Sequence, residues 1–151
     1  MDITKKWDKI ILTWDKKEIV FDNETVLLDW LLLDFPGEYE KSWIMAHVIL
    51  KNWNIIFQMR FLDKNIWYIC HDELEIDEEV ADFFWDIDVL VIKWTKNSIK
   101  IFENLEAKYV VPYGETKDIF FSTLWQHPES VTSMKIKEQL GENEVIFVNL
   151  D

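Results

Sequence analysis

Three histidines, one cysteine and a run of carboxylates are the side chains of this 151-residue chain that have the chemistry for acid–base, nucleophilic or metal-bound work. Cys70-His71-Asp72 places a thiol, an imidazole and a carboxylate together at the end of an apolar run. A nucleophilic cysteine needs a nearby base to make its thiolate. In an extended strand, alternation sends Cys70 and Asp72 to one face and His71 to the other, so the three do not converge. A small buried cysteine followed by a loop is the plainer reading. His47, in Ala46-His47-Val48-Ile49, reads as a hydrogen-bonded sheet histidine. His127 precedes Pro128 and reads as loop surface. The carboxylates Asp72, Glu73, Glu75, Asp77, Glu78 and Glu79 invite a calcium reading but lack the Asp-x-Asp-x-Asp-Gly loop that wraps ligands round that ion. They read as a solvated face, with Asp77 to Glu79 suited to the first turn of a helix. Gly37 and Gly114 are too isolated to form a phosphate-binding loop. The residues therefore point to no assembled catalytic site and no cofactor. Asp72, His71 and His47 are left as weak candidates for zinc or another divalent metal.

The elements that must position these groups change character halfway along the chain. Short runs rich in Ile, Val, Leu and Phe predict strands over Lys9 to Leu12, Glu18 to Phe21, Thr25 to Asp29, Leu31 to Phe35, Ile44 to Lys51, Ile55 to Phe61 and Ile66 to Cys70, paired as antiparallel meanders. Beyond Asp77 the pattern alternates. Helices are expected over Asp77 to Phe84, Ser98 to Ala107, Thr116 to Leu124 and Ser130 to Leu140, the last capped by Gly141. Strands are expected over Val89 to Ile92, Tyr109 to Val111 and Val145 to Val148. The expected fold class is α+β: a β-sheet sandwich with helices on an outer face. No linker, repeat or low-complexity tract divides residues 1–151, so one domain is expected.

Composition narrows the partners. Acidic residues outnumber basic ones 29 to 16, and the resulting charge of -13 repels nucleic-acid backbones and anionic headgroups. The first residues lack the apolar core of a signal peptide and no window reaches the length of a membrane span, so a cytoplasmic location is expected. A lone cysteine suits a reducing compartment.

Nine tryptophans and three glycines form an unusual pair of counts. A chain of this length ordinarily carries about ten glycines. Several of the tryptophans stand where glycine is wanted. Trp53 follows Asn52 between two apolar runs, where Asn-Gly is the usual hairpin signal, and Trp7, Trp14 and Trp94 also lie in polar turn contexts. Trp85 follows a short helical pattern, the place of a C-terminal glycine. This pattern suggests a gene in which UGA encodes glycine. The alternatives are tryptophans that pack in the core, or an exposed aromatic surface that stacks on sugars.

Three segments carry a family resemblance. Phe35-Pro36-Gly37-Glu38-Tyr39-Glu40-Lys41-Ser42-Trp43-Ile44 resembles a Pro-Gly-Glu-Tyr-Glu turn, more closely if Trp43 stands for glycine. Asp86-Ile87-Asp88-Val89-Leu90-Val91-Ile92 resembles an "iDvLliP" strand, and Glu106-Ala107-Lys108-Tyr109-Val110-Val111-Pro112-Tyr113-Gly114 resembles a strand ending in Pro-x-His-Tyr. All three are features of small bacterial proteins of the metallo-β-lactamase fold, the branch of zinc-dependent hydrolases, and the likeness covers residues 25 to 151. It implies a hydrolase whose metal ions lower the pKa of a bound water. Its ligands would come from a His-x-His-x-Asp-His loop, a later His, a bridging Asp and a last His.

This chain departs from that pattern. It has no His-x-His, and the segment that would carry the motif is missing between about Asp22 and Leu31. Gly114 stands where the last histidine is expected, and only Asp72 matches the bridging aspartate. The resemblance therefore implies a shortened, degenerate and non-catalytic member that acts as a binding or assembly scaffold. A homodimer through an exposed sheet face is its expected partner. The alternative is a metal-dependent hydrolase whose site is rebuilt from Asp72, His71, His47 or a partner chain.

Overall fold

The computed structural model describes residues 1–83, 86–137, 141 and 144–151. The strands of the first half are β1 (Asp2–Lys6), β2 (Lys9–Trp14), β3 (Lys17–Asp22), β4 (Thr25–Leu28), β5 (Leu31–Leu33), β6 (Gly37–Lys41), β7 (Ile44–Lys51), β8 (Asn54–Phe61) and β9 (Lys64–Ile69). There follow α1 (Glu78–Phe83), β10 (Ile87–Lys93), α2 (Ser98–Phe102), β11 (Ala107–Tyr113), α3 (Lys117–Thr123), β12 (Ser130–Val131), β13 (Ser133–Lys135), β14 (Ile146–Phe147) and β15 (Asn149–Leu150).

The expected antiparallel meanders are present and extend further than the residues suggested, because β1 and β6 are strands as well. One sheet runs β13-β1-β2-β3-β4-β5 and the other β14-β11-β10-β9-β8-β7-β6, with β12 and β15 forming a small pair. From β9 through β10 and β11 to β14 the second sheet is parallel. Parallel strands are ordinarily buried on both faces, and alternation achieves that here. Tyr68, Val89, Val91, Tyr109 and Val111 enter a core shared with Ile3, Leu12, Phe21 and Leu28 of the first sheet. The intervening Trp67, Leu90, Ile92 and Val110 enter a second core with Val80 of α1, Ile101 of α2 and Phe120 of α3.

Some expectations are corrected. Residues 130 to 137 do not form a helix: Ser130 and Val131 pair with β15, and Ser133 to Lys135 pair with β1. Pairing to an otherwise open strand edge outweighs the weak helical preference of these few residues. Residues 138 to 140 lie outside the described residues, as does the expected cap contact to Leu140. The helix expected to reach Ala107 ends at Phe102, because Ala107 pairs with Ile87 as the first residue of β11.

Five hairpins close with both central residues at positive φ: Asp15-Lys16, Asp29-Trp30, Ser42-Trp43, Asn52-Trp53 and Leu62-Asp63. Trp14 is thus the last residue of β2 rather than a turn residue, and Trp94 is buried just past β10. Trp85 lies outside the described residues.

One buried charge ties the parallel strands together. Asp88 is 5% exposed and accepts hydrogen bonds from the Asn65 backbone N–H and from Lys108 Nζ, each at 2.8 Å. This bond chiefly holds the Lys108 ammonium above its ordinary pKa. Removing the carboxylate would strand a partly buried N–H. Asp88→Ala is therefore expected to lower stability by about 1–3 kcal/mol, read as a lower urea midpoint; an unchanged midpoint would contradict the bridging role.

Candidate functional site

The chemistry-bearing residues gather where β9, β10 and β11 end, beside the Asn23-Glu24 turn that joins β3 to β4. Parallel strands release their following loops at one end of the sheet, which is why distant sequence positions meet there. A cleft of about 650 Å³ opens at this end, lined by Lys5, Asp8, Asn23, Lys93, Thr95 and Tyr113 among others.

Cys70, His71 and Asp72 follow the last residue of β9, so strict strand alternation no longer governs them. Cys70 packs in the core between the sheets, with its sulfur 3.9 Å from the Ile55 carbonyl. Burial, with a smaller contribution from the charge of Glu24, pushes its thiol up to about 12. It is therefore a neutral thiol at physiological pH and a poor nucleophile. His71 Nδ1 lies 3.9 Å from Glu24 Oε1, and its Nε2 is buried without a hydrogen-bond partner among the described residues. Asp72 turns to Thr95, whose hydroxyl donates to it at 2.7 Å. Thr95 is held in turn by Ser98, which accepts its backbone N–H at 3.1 Å and donates to the Lys93 carbonyl at 2.7 Å.

A pair of phenols on the second sheet, beside this cluster, links it to the Asn23 turn of the first. Tyr68 donates to the carbonyl of Asn23, which leaves Tyr113 to donate to Tyr68 across 2.7 Å. Burial raises both above the ordinary tyrosine pKa, so both remain neutral donors. The Tyr68–Tyr113 pair, Thr95 and Glu24 were not singled out from the residues alone. The Thr-x-x-Ser spacing of Thr95 and Ser98 was the available signal for one of them. The tyrosine pair joins residues 45 positions apart and left no local trace.

The other candidates lie elsewhere. His47 sits on β7 between Glu38 and Gln58, with its ring 5.0 Å from that of Phe83. Its neighbours Ala46 and Val48 point into the inter-sheet core, so His47 is on the opposite face and does not meet His71 or Asp72. His127 is exposed in the connection after α3. Among the acidic residues, Asp77 acts as the N-cap of α1 by accepting the Val80 N–H at 2.9 Å, and Lys51 pairs with Asp77 and Glu79. Glu73, Glu75 and Glu78 are exposed. Among the described residues, no three His, Cys, Asp or Glu side chains come together to hold a metal ion.

The state of Cys70 has a direct chemical consequence. At neutral pH the native protein is expected to react with an aromatic disulfide reagent far more slowly than the urea-unfolded chain, whose thiol is exposed and closer to the ordinary cysteine pKa. Equal rates would place the sulfur outside the core.

No family model matches the chain, and no curated protein matches it. Among solved structures, the chain is similar to a protein from Thermotoga maritima assigned as a Zn-dependent hydrolase of the metallo-β-lactamase superfamily, whose crystal structure is at 2.00 Å resolution. The two agree with a TM-score of 0.73 at 18% sequence identity, over 99% of this chain and 98% of that chain. The likeness therefore runs along the whole chain rather than beginning near residue 25. No helix among the described residues is long and apolar enough to cross a membrane. The fold of this chain is metallo-β-lactamase-like.

Proposed function

We propose that this chain is a non-catalytic protein of the metallo-β-lactamase fold, retained as a binding or assembly scaffold after its metal site was lost. The observation that carries this reading is Gly114, which follows β11 at φ 109 and lies against the backbone of Trp94. It stands where the resemblance expects the final histidine, and it offers a metal nothing. The rest of the ligand set does not compensate. Asp72 is engaged by Thr95, the Cys70 thiol is buried and neutral, and His47 lies on another face. His71 Nε2 has no partner among the described residues, but a single imidazole falls short of the three protein ligands a catalytic zinc ordinarily takes. The tight Asn23-Glu24 turn likewise leaves no room between β3 and β4 for a His-rich loop. The reading also includes UGA-encoded glycine at turn positions written here as tryptophan.

A homodimer through a sheet face is the accompanying proposal. Register aligns Ile11, Val20, Leu27 and Leu32 in one row across β2 to β5, on the face turned away from the inter-sheet core. Ile11 and Val20 are already buried within the chain, and the accessible part of the row lies at its open edge, where Leu32 is 44% exposed. An apolar row on an outer face favours association with a second copy.

Two measurements test these readings. Metal analysis of protein purified without chelator is expected to give well under one zinc, iron or manganese per chain; stoichiometric metal would instead support the alternative, a metal-dependent hydrolase with a rebuilt site. Light scattering on the eluting protein is expected to give twice the chain mass of 18.3 kDa, with Leu32→Lys shifting the protein toward monomer. A monodisperse wild-type monomer would refute the dimer.

A further inference from the structure

Five of the nine tryptophans occupy backbone positions that suit glycine, and their side chains are left in solvent. Trp30, Trp43 and Trp53 are the second central residues of the β4–β5, β6–β7 and β7–β8 hairpins, at φ 73, 67 and 67. They follow Asp29, Ser42 and Asn52, also at positive φ, and the closing pairs are Leu28 with Leu31, Lys41 with Ile44 and Lys51 with Asn54. Positive φ at both central residues is the type I′ pattern, in which Asn-Gly and Asp-Gly dominate. Trp7, at φ 57, is the first central residue between paired Lys6 and Lys9, and the second, Asp8, is not at positive φ. This is the type II′ pattern, which places glycine first. Trp125, at φ 55, ends α3: its N–H donates to the Ser122 carbonyl at 3.2 Å, and the Gln126 N–H donates to the Phe121 carbonyl at 2.9 Å. Those two reverse bonds are the helix-ending motif whose left-handed residue is most often glycine.

Three different kinds of turn thus converge on one residue type. A side chain at each of these positions brings its Cβ against a carbonyl oxygen. The five indoles recover nothing from burial, being 92%, 76%, 83%, 88% and 85% exposed in chain order. Trp67 is the opposite case. It is fully buried, is not at positive φ and meets the Phe83 ring edge-on at 5.4 Å. Trp14 and Trp94 are not at positive φ, so the backbone assigns them neither way.

We infer that residues 7, 30, 43, 53 and 125 are glycine in the protein made by its own cell, with UGA read as glycine, and that residue 67 is tryptophan. This assignment rests on the recoding reading and makes it specific by position. It also removes five of the exposed aromatic side chains, leaving Trp14 and Phe35. The groove edged by Trp14, Trp43, Met45 and Leu62 loses its most exposed ring, and a module that stacks sugars on these indoles is excluded.

The test combines the gene with the native protein. TGA codons are expected at the five positions and TGG at 67, and peptide mass spectrometry of protein from the native cell is expected to find glycine at the five and tryptophan at 67. Tryptophan in native peptides at the five positions, or TGG codons there, overturns the inference. Glycine at 67 overturns the assignment while leaving the recoding intact, whereas TGG at all nine positions removes both. In recombinant protein, the variant combining Trp7→Gly, Trp30→Gly, Trp43→Gly, Trp53→Gly and Trp125→Gly is expected to unfold at higher urea than the chain as written, and Trp67→Gly at lower urea. A fivefold variant that unfolds at lower urea counts against the assignment.

Discussion

The two-faced burial of β9, β10 and β11 is the constraint on which the rest of the structure depends. Each strand sends alternate residues into different cores, Tyr68 and Val89 toward the first sheet and Trp67 and Leu90 toward the helices. A one-residue slip would exchange every side chain between the two environments. The parallel register, the layered arrangement and the position of the cleft all follow from that alternation. Asp88 is the polar exception, tolerated because a backbone N–H and the Lys108 ammonium satisfy it.

The end of this sheet concentrates polar groups that are bonded to one another and to the loops around them. Asp72, Thr95 and Ser98 satisfy one another and the local backbone, and Tyr68 and Tyr113 join the second sheet to the Asn23 turn of the first. Groups so engaged stabilise loops. A fold that presents loops at one end of parallel strands can carry different groups on them, which is why likeness of fold and likeness of activity are separate matters.

The hairpins show a second constraint, set by the backbone. Five two-residue turns, joining β2 to β3, β4 to β5, β6 to β7, β7 to β8 and β8 to β9, let the meanders return at minimal length, and each uses left-handed residues because the primed turns match the twist of the strands. The chain meets that need with Asp, Asn, Ser, Lys and Leu, and with tryptophan at positions 30, 43 and 53.

By itself the sequence determined the strand-rich first half, the change to alternating strands and helices after Asp77, and the buried character of Val89 to Ile92, because hydrophobic period and local turn chemistry are properties of neighbouring residues. It also showed tryptophan in glycine contexts at positions 7 and 53. The tertiary structure decided what depended on distant partners. Residues 130 to 135 became strands because β1 and β15 offered open edges. His47 was separated from His71 by the two faces of one sheet, and Asp72 was claimed by Thr95, 23 residues away. Trp94 was buried against Phe120, while Trp30 and Trp125 were set at left-handed turns. Spacing along the chain carries no record of such pairings, since they arise only when the sheets close on one another.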